Sequence, residues 1–136
     1  MSFLELFKHP NLIGAHRGSR SLRPENTLSA LKKSIGHCDF IEVDVQLSND
    51  GVPIIIHDKT LERTTNVNEI EAYKARTPYR VSDFTYDELC GLDYGGWFYK
   101  DQNKFEPLLS LEKVLEFIKE NQLFINIEIK DMHDSF

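Results

Sequence analysis

The sequence is poor in several features that define whole classes of protein. It has only 2 cysteines, Cys38 and Cys90, far apart in the chain, which argues against a disulfide framework and a thiolate zinc site. Its 7 glycines and 5 prolines exclude collagen-like or linker-like material. Its apolar runs are far shorter than the ~20 residues of a membrane span, and the N-terminus lacks a signal-peptide pattern. We therefore expect a cytoplasmic protein without stable membrane insertion.

Positive charge is also scarce, with 16 basic against 22 acidic residues and a net charge of −6. A nucleic-acid binder needs a basic face to displace counterions, so we expect no nucleic-acid partner. A small anionic substrate stays open because a bound metal ion can invert the local field. The remaining composition, 40% hydrophobic and 28% charged, is typical of a globular chain, and 136 residues allow one domain.

Short apolar strands alternate with helical segments along the chain. Capping signals precede three predicted helices, and Gly95-Gly96-Trp97 is predicted to be a loop. This order is typical of an α/β fold with parallel strands. The segment at about 60–107 is less regular than the rest of the chain. The strands are predicted at 12–16, 39–47, 52–57 and 123–130, and the helices after Thr27, Thr85 and Ser110.

Carboxylates lie within two of the predicted strands. Glu42 and Asp44 are two residues apart and point the same way, about 7 Å from each other, and Glu128 comes from another strand. Strand ends of an α/β barrel meet at one mouth, where three carboxylates repel unless a cation lies between them. Oxygen-only ligands select Mg²⁺ or Ca²⁺. The alternative for Glu42 and Asp44 is simple alternation toward solvent on a half-exposed strand.

Two histidines, His16 and His57, each end an apolar strand. Such a pair can act as general base and general acid near neutral pH. Alternatively, each is an ordinary hydrogen-bonded histidine at the end of a strand. Together with a divalent metal and a phosphate contact, the pair suggests phosphoester cleavage.

Two cations and one aromatic residue complete the candidate site. Arg17 would either hold a phosphate through a bidentate fork or pair with a neighbouring carboxylate. Lys130 would either serve the same anion or neutralise Glu128. Trp97 would form an apolar wall for a substrate, or simply pack in the core or at its rim.

These motifs together resemble the glycerophosphodiester phosphodiesterases, in family order from residue 13 to residue 130. The resemblance implies a TIM-barrel hydrolase that releases sn-glycerol 3-phosphate and an alcohol from a glycerophosphodiester. It also implies that His16 and His57 are the acid/base pair and that Arg17 contacts the phosphate. Glu42, Asp44 and Glu128 would hold the divalent metal, and Lys130 would be an active-site cation. The matching segments are His16-Arg17-Gly18, Pro24-Glu25-Asn26-Thr27, 41–45, 52–58, 60–65, Gly96-Trp97-Phe98 and 126–130.

The chain departs from that family in length. A whole (β/α)8 barrel needs about 250 residues, so residues 1–136 correspond to a single incomplete catalytic domain with about four main strands. The resemblance also implies that the segment at about 60–107 is a small cap inserted after the third strand, in which 66–79 is longer than its family counterpart. We expect the exposed strand edges to be covered by a second copy of the chain, or the chain to be a piece of a longer protein.

Two other functions remain open at this point. The chain could bind metal and phosphate without turnover, as an inactive fragment or an assembly module. It could also be a phospholipase of the sphingomyelinase D type, although no basic amphipathic stretch supports that reading. The sequence does not choose between water and a substrate hydroxyl as the nucleophile, nor does it identify the alcohol.

Overall fold

The computed structural model describes residues 1–130 and contains one four-stranded sheet. The strands are β1 (Gly14–His16), β2 (Phe40–Leu47), β3 (Pro53–Ile55) and β4 (Ile125–Ile129). The α-helices are α1 (Phe3–Leu6), α2 (Leu28–Ser34), α3 (Tyr86–Cys90), α4 (Gly96–Tyr99) and α5 (Leu111–Glu120). None of the helices among the described residues is both long and apolar enough to cross a bilayer.

Three of the strands are parallel, with β2 between β1 and β4. The helix α2 connects β1 to β2, and α5 precedes β4, as crossover connections between parallel strands require. The register pairs His16 with Glu42 and Asp44 with Glu128. The predicted α/β order is therefore present, and its parallel register brings the candidate residues side by side.

The strand β3 differs from the prediction because it runs antiparallel to the end of β2, with Val45 opposite Ile55. Only residues 48–52 separate the two strands. A parallel pair needs a connection of a dozen or more residues, so this short link permits only a hairpin. The backbone N–H of Ile56 then donates to the carbonyl oxygen of Asp44 at 3.0 Å. His57 thus reaches the site at the returning end of a hairpin and not at the end of a fourth parallel strand.

The alternation along β2 separates an apolar face from a polar one, as predicted. Ile41, Val43 and Val45 are fully or almost fully buried and pack against α2 and α5. The N-caps predicted for these helices are present: the side-chain oxygen of Thr27 accepts from the N–H of Ala30, and that of Ser110 accepts from Lys113. The helices cover the apolar face, so the opposite face of β2 is left for the site.

The segment between β3 and α5 has a second hydrophobic core of its own. Phe84, Leu89 and Leu92 are fully buried there, together with Ile54 of the hairpin. Short 3-10 helices at Val67–Glu69, Glu71–Arg76 and Val81–Asp83 precede α3, which begins with the predicted Thr85/Glu88 capping box. The core anchors this segment to the hairpin, beside the strand ends.

The loop predicted at Gly95-Gly96-Trp97 is wrong, because Gly96–Tyr99 forms the helical turn α4. The side chain of Asp93 accepts hydrogen bonds from the N–H groups of Gly95 and Gly96, at 2.8 and 2.9 Å. A carboxylate there satisfies the free N–H groups at the start of a helix. Glycine content alone predicted a loop and missed this acceptor.

Both outer strands of the parallel set have one free edge within residues 1–130, since β1 and β4 each pair only with β2. Apolar side chains lie beside these edges: Ile13 is 60% exposed and Ile129 is 63% exposed. Free edges with apolar flanks are surfaces that proteins usually cover.

Candidate functional site

The site is built around three carboxylates on the polar face of the parallel strands. One oxygen each from Glu42, Asp44 and Glu128 lies within 4.8 Å of the others. The parallel register produces this cluster, because it places Asp44 directly opposite Glu128 and keeps Glu42 on the same face of β2. The prediction that two strands bring these carboxylates together is confirmed as geometry, while their role as ligands remains a prediction.

Two buried oxygens of the cluster lack a hydrogen-bond partner within residues 1–130. These are Oε1 of Glu42 and Oδ1 of Asp44, and the second lies 3.5 Å from Nζ of Lys130. Burial, and then the neighbouring charge of Asp44, raise the pKa of Glu42 above its usual value. Buried carboxylate oxygens of this kind need a cation, and the all-oxygen donor set fits Mg²⁺ or Ca²⁺.

The turn after β1 places His16 and Arg17 against this cluster. Nε2 of His16 lies 3.8 Å from Oε2 of Glu42, and the same oxygen accepts a hydrogen bond from the backbone N–H of Arg17 at 3.0 Å. Arg17 adopts a left-handed conformation with φ 58°, followed by Gly18 with φ 76°. A non-glycine residue in that region is uncommon and is found where function or tight packing demands it.

The guanidinium of Arg17 is engaged by carboxylates in this structure. Its Nη1 donates to Oε1 of Glu25 at 3.1 Å, and its Nε lies 3.3 Å from Oδ2 of Asp44. The side chain is almost buried, with 11% exposed. The ion-pair interpretation from the sequence is therefore observed, and the guanidinium also borders the acidic cluster.

Lys130 is the second cation at the cluster. Its Nζ donates to Oε1 of Glu128 at 2.5 Å and lies 3.5 Å from Oδ1 of Asp44. The hydrogen bond from Lys130 lowers the pKa of Glu128, so that carboxylate is held ionised. Of the two interpretations for Lys130, neutralisation of Glu128 is the one seen in this structure.

The loop after β3 brings His57 to the same face and fixes its ring. Nδ1 of His57 lies 2.7 Å from Oδ1 of Asp58. The Asp58 carboxylate is in turn bound by Arg63, whose hydrogen bond is the main reason that the pKa of Asp58 falls to about 2. An ionised carboxylate beside Nδ1 favours a proton on that nitrogen, which leaves Nε2 free to accept one.

Trp97 lies next to this histidine loop. Its ring lies over the guanidinium of Arg63, 5.9 Å from Cζ to the ring centroid, and its Nε1 donates to the carbonyl oxygen of Tyr94. The half-buried ring therefore borders the site through Arg63. A direct contact with substrate remains a prediction.

Four residues at the site were assigned no site role by the sequence-based prediction. Asn26 donates to Oδ2 of Asp44 at 3.0 Å, and Gln46 donates to the carbonyl oxygens of Ile56, His57 and Asp58. Glu25 and Arg63 form the ion pairs described above. The Pro-Glu-Asn-Thr motif predicts a helix start, and Thr27 does cap α2. The motif itself held a further signal, since Glu25 and Asn26 precede the cap and are not needed for it.

Comparison with known proteins agrees with this fold. Residues 16–136 match the model of the glycerophosphoryl diester phosphodiesterase family, and the chain belongs to that family. The resemblance noted from the motifs is therefore confirmed.

Individual relatives support the assignment. A glycerophosphodiester phosphodiesterase of Caldanaerobacter subterraneus is 40% identical over 122 residues, covering 88% of this chain and 45% of the relative. A glycerophosphoinositol inositolphosphodiesterase of Mus musculus is 42% identical over 104 residues, which cover 75% of this chain and 19% of the relative. The solved structure of an Oleispira antarctica phosphodiesterase, in complex with the product sn-glycerol-3-phosphate, is 32% identical with a TM-score of 0.74. The match covers 92% of this chain and 47% of that protein.

The same comparisons show how much of the fold the chain contains. A glycerophosphodiester phosphodiesterase from Agrobacterium tumefaciens is 34% identical with a TM-score of 0.72, and this chain covers 48% of it. The chain thus spans less than half the length of these relatives and matches about half of their TIM barrel. The predicted half-barrel is confirmed.

Proposed function

We propose that the chain contributes the metal and acid/base side of a site that hydrolyses glycerophosphodiesters to sn-glycerol 3-phosphate and an alcohol. The observation that carries the proposal is the convergence of three carboxylate oxygens within 4.8 Å, flanked by two histidines and two cations. Three carboxylates this close repel one another, which is unfavourable on a strand face with a purely structural role. The same cluster is favourable where a cation binds between the carboxylates and a phosphate binds beside it.

The two histidines supply the proton transfers. His57 has Nδ1 bound to Asp58, so its Nε2 accepts a proton from the nucleophile or, once protonated, donates it to the leaving alkoxide. His16 is half exposed, lies beside Glu42 and takes the complementary role. Each transfer typically contributes about 10²- to 10⁴-fold in rate. The nucleophile is either water or a hydroxyl of the glycerol moiety, and both need the same base.

The carboxylates Glu42, Asp44 and Glu128 would hold a divalent metal, Mg²⁺ or Ca²⁺. Such an ion supplies electrostatic stabilisation of the charge that develops on phosphoryl oxygens. The substrate phosphate would be oriented by Arg17 and Lys130, both of which already border the acidic cluster. Their ion pairs with carboxylates are interactions that an incoming metal and phosphate would redistribute.

The test is release of glycerol 3-phosphate from glycerophosphocholine by the purified chain, with Mg²⁺, with Ca²⁺ and with EDTA. His16→Ala should abolish metal-dependent release, whereas His9→Ala, an exposed histidine in the turn after α1, should not. Comparison of the two ions decides between Mg²⁺ and Ca²⁺. Equal activity in EDTA and in metal would refute the proposed role of the carboxylates.

A second candidate function is metal and phosphate binding without turnover. The free edges of β1 and β4 favour it, because a half-barrel leaves the far side of the substrate site open to water. Metal binding by calorimetry in a chain that folds cooperatively but releases no product would support this candidate.

We further propose that the active form buries these edges against a second copy of the chain. Light scattering then yields twice the monomer mass under the conditions of the activity assay. Turnover by a particle of 15.8 kDa would refute the need for a second copy.

A further inference from the structure

We propose that Arg63 is a positioning residue that sets the tautomer of His57 and couples it to the phosphate-binding Arg17. The inference rests on the proposed function of this site, which gives His57 its acid/base role. Arg63 forms two ion pairs that lie outside the acidic cluster, and the proposed chemistry does not require either of them.

Arg63 binds two carboxylates with one guanidinium. Its Nε and Nη2 donate to the two oxygens of Asp58 at 2.6 and 3.0 Å. Its Nη1 and Nη2 donate to the two oxygens of Glu25 at 3.0 and 2.6 Å. Both pairs are bidentate, which the planar fork of arginine permits and the single ammonium of lysine does not.

Asp58 connects this guanidinium to the ring of His57. The oxygen that accepts from Nη2 of Arg63, Oδ1, is also the oxygen that lies 2.7 Å from Nδ1 of His57. Arg63 therefore fixes both the position and the charge of the acceptor. An acceptor held in this way keeps the proton on Nδ1 and directs the lone pair of Nε2 toward the substrate side.

Glu25 connects the same guanidinium to Arg17. Its Oε1 accepts from Nη2 of Arg63 at 2.6 Å and from Nη1 of Arg17 at 3.1 Å. The Glu25 side chain is only 8% exposed. A buried carboxylate shared by two guanidinium groups makes their positions interdependent, since displacing either leaves it underpaired.

The alternative is a purely structural role, in which Arg63 only anchors the loop after β3. An anchoring role predicts lost stability on mutation and nothing more. A positioning role predicts in addition a change in the protonated nitrogen of one specific ring, while other ion-paired arginines leave that ring unaffected. The two interpretations therefore differ in a spectroscopic readout.

The experiment is long-range ¹H–¹⁵N NMR of the histidine rings in the full chain at about pH 8, where an ordinary histidine is neutral. It is run with and without Mg²⁺, and His57→Gln assigns the resonance. The proposal predicts the Nδ1–H tautomer as the major neutral form of His57 in the unmodified chain. It predicts that this form becomes the minor one in Arg63→Gln and in Asp58→Ala.

Arg76→Gln is the matched control. Arg76 also forms a two-contact pair, with Glu88 at 2.8 and 3.3 Å, and its guanidinium also lies over aromatic rings. This variant should lose stability and keep the His57 tautomer. Arg63→Lys keeps the charge and serves if Arg63→Gln fails to fold, and it should shift the tautomer partway.

An Nε2–H ring in the unmodified chain would overturn the proposal without any variant. So would an Nδ1–H population that is unchanged in folded Arg63→Gln or in folded Arg63→Lys. Because the tautomer is measured without turnover, a chain that releases no glycerol 3-phosphate can still support or overturn it. Failure of this inference is thus distinct from failure of the proposed function.

Discussion

Replacing Gly18 by alanine would test whether the turn after β1 is held by close packing against α2. Gly18 has φ +76°, and a Cβ atom there would lie 2.8 Å from both the carbonyl carbon and the Cβ of Ala30. Ala30 is fully buried in α2, and its carbonyl oxygen accepts from the N–H of Ser19 at 3.0 Å. The helix backbone therefore cannot move away without breaking this contact.

The magnitude has two parts that a second variant separates. Gly51 has φ +82° and nothing within 4 Å of its Cβ position, so Gly51→Ala measures the left-handed backbone alone, about 1–2 kcal/mol. Gly18→Ala adds overpacking against α2, which typically costs about 1–3 kcal/mol more. The expected loss of unfolding free energy at Gly18 is thus about 2–5 kcal/mol.

Urea unfolding followed by circular dichroism measures both variants beside the unmodified chain. With a slope of about 2 kcal/mol/M, the midpoint of Gly18→Ala should lie about 0.5–1.5 M below that of Gly51→Ala. Equal midpoints for the two variants would show that the turn relaxes away from α2 and would refute the packing argument. Parallel slopes are required, because a changed slope signals a change other than stability.

Three further predictions follow from other contacts. Saturating Mg²⁺ at about 100-fold above its Kd should stabilise the chain by about 2.7 kcal/mol in thermal unfolding, and Glu128→Gln should lose this gain whereas the exposed Glu112→Gln should keep it. The pKa of Asp58 falls to about 2 from 3.8, so the stability that this carboxylate contributes is present above pH 4 and is lost as the pH falls from 4 to 2. In an acid titration of unfolding free energy, Asp58→Asn should therefore lose about 1 kcal/mol less than the unmodified chain over this range, a value that is reduced from the full shift because solvent screens a partly exposed ion pair. Gln46→Leu removes the amide group that donates to three backbone carbonyl oxygens and should lower the free energy of unfolding by about 2–3 kcal/mol in urea. The control Gln102→Leu, at an exposed position, should leave the free energy of unfolding unchanged.

The fold was predictable where periodicity and a local signal agreed. Alternation identified β2 and β4, and capping residues located the starts of α2, α3 and α5, because each rests on contacts only a few residues apart. The antiparallel direction of β3 was not predicted. Strand direction depends on the length of the connection, and five residues are too few for a crossover.

The candidate site was predictable to the extent that a residue type implies its chemistry. Glu42, Asp44 and Glu128 were identified since carboxylates within apolar strands are unusual. Arg63 was not, because it lies in an irregular segment and the resemblance of 60–65 assigned it no role. Its significance arises from Glu25, which lies 38 residues away in the chain. Such contacts depend on how the loop after β3 folds over the strand ends, and no local pattern records that.

The supporting residues explain why a half-barrel can present an ordered site at all. In the described part of the chain, the acidic cluster draws all its carboxylates from β2 and β4. Both histidine loops are tied back to β2, through the N–H of Arg17 to Glu42 and through Gln46 to the carbonyl oxygen of His57. The groups proposed to bind metal and to transfer protons therefore depend on contacts within residues 1–130. A further half of the barrel would add closure around the substrate. We therefore expect metal binding and the Nδ1–H tautomer of His57 in this chain even if the chain alone shows no turnover.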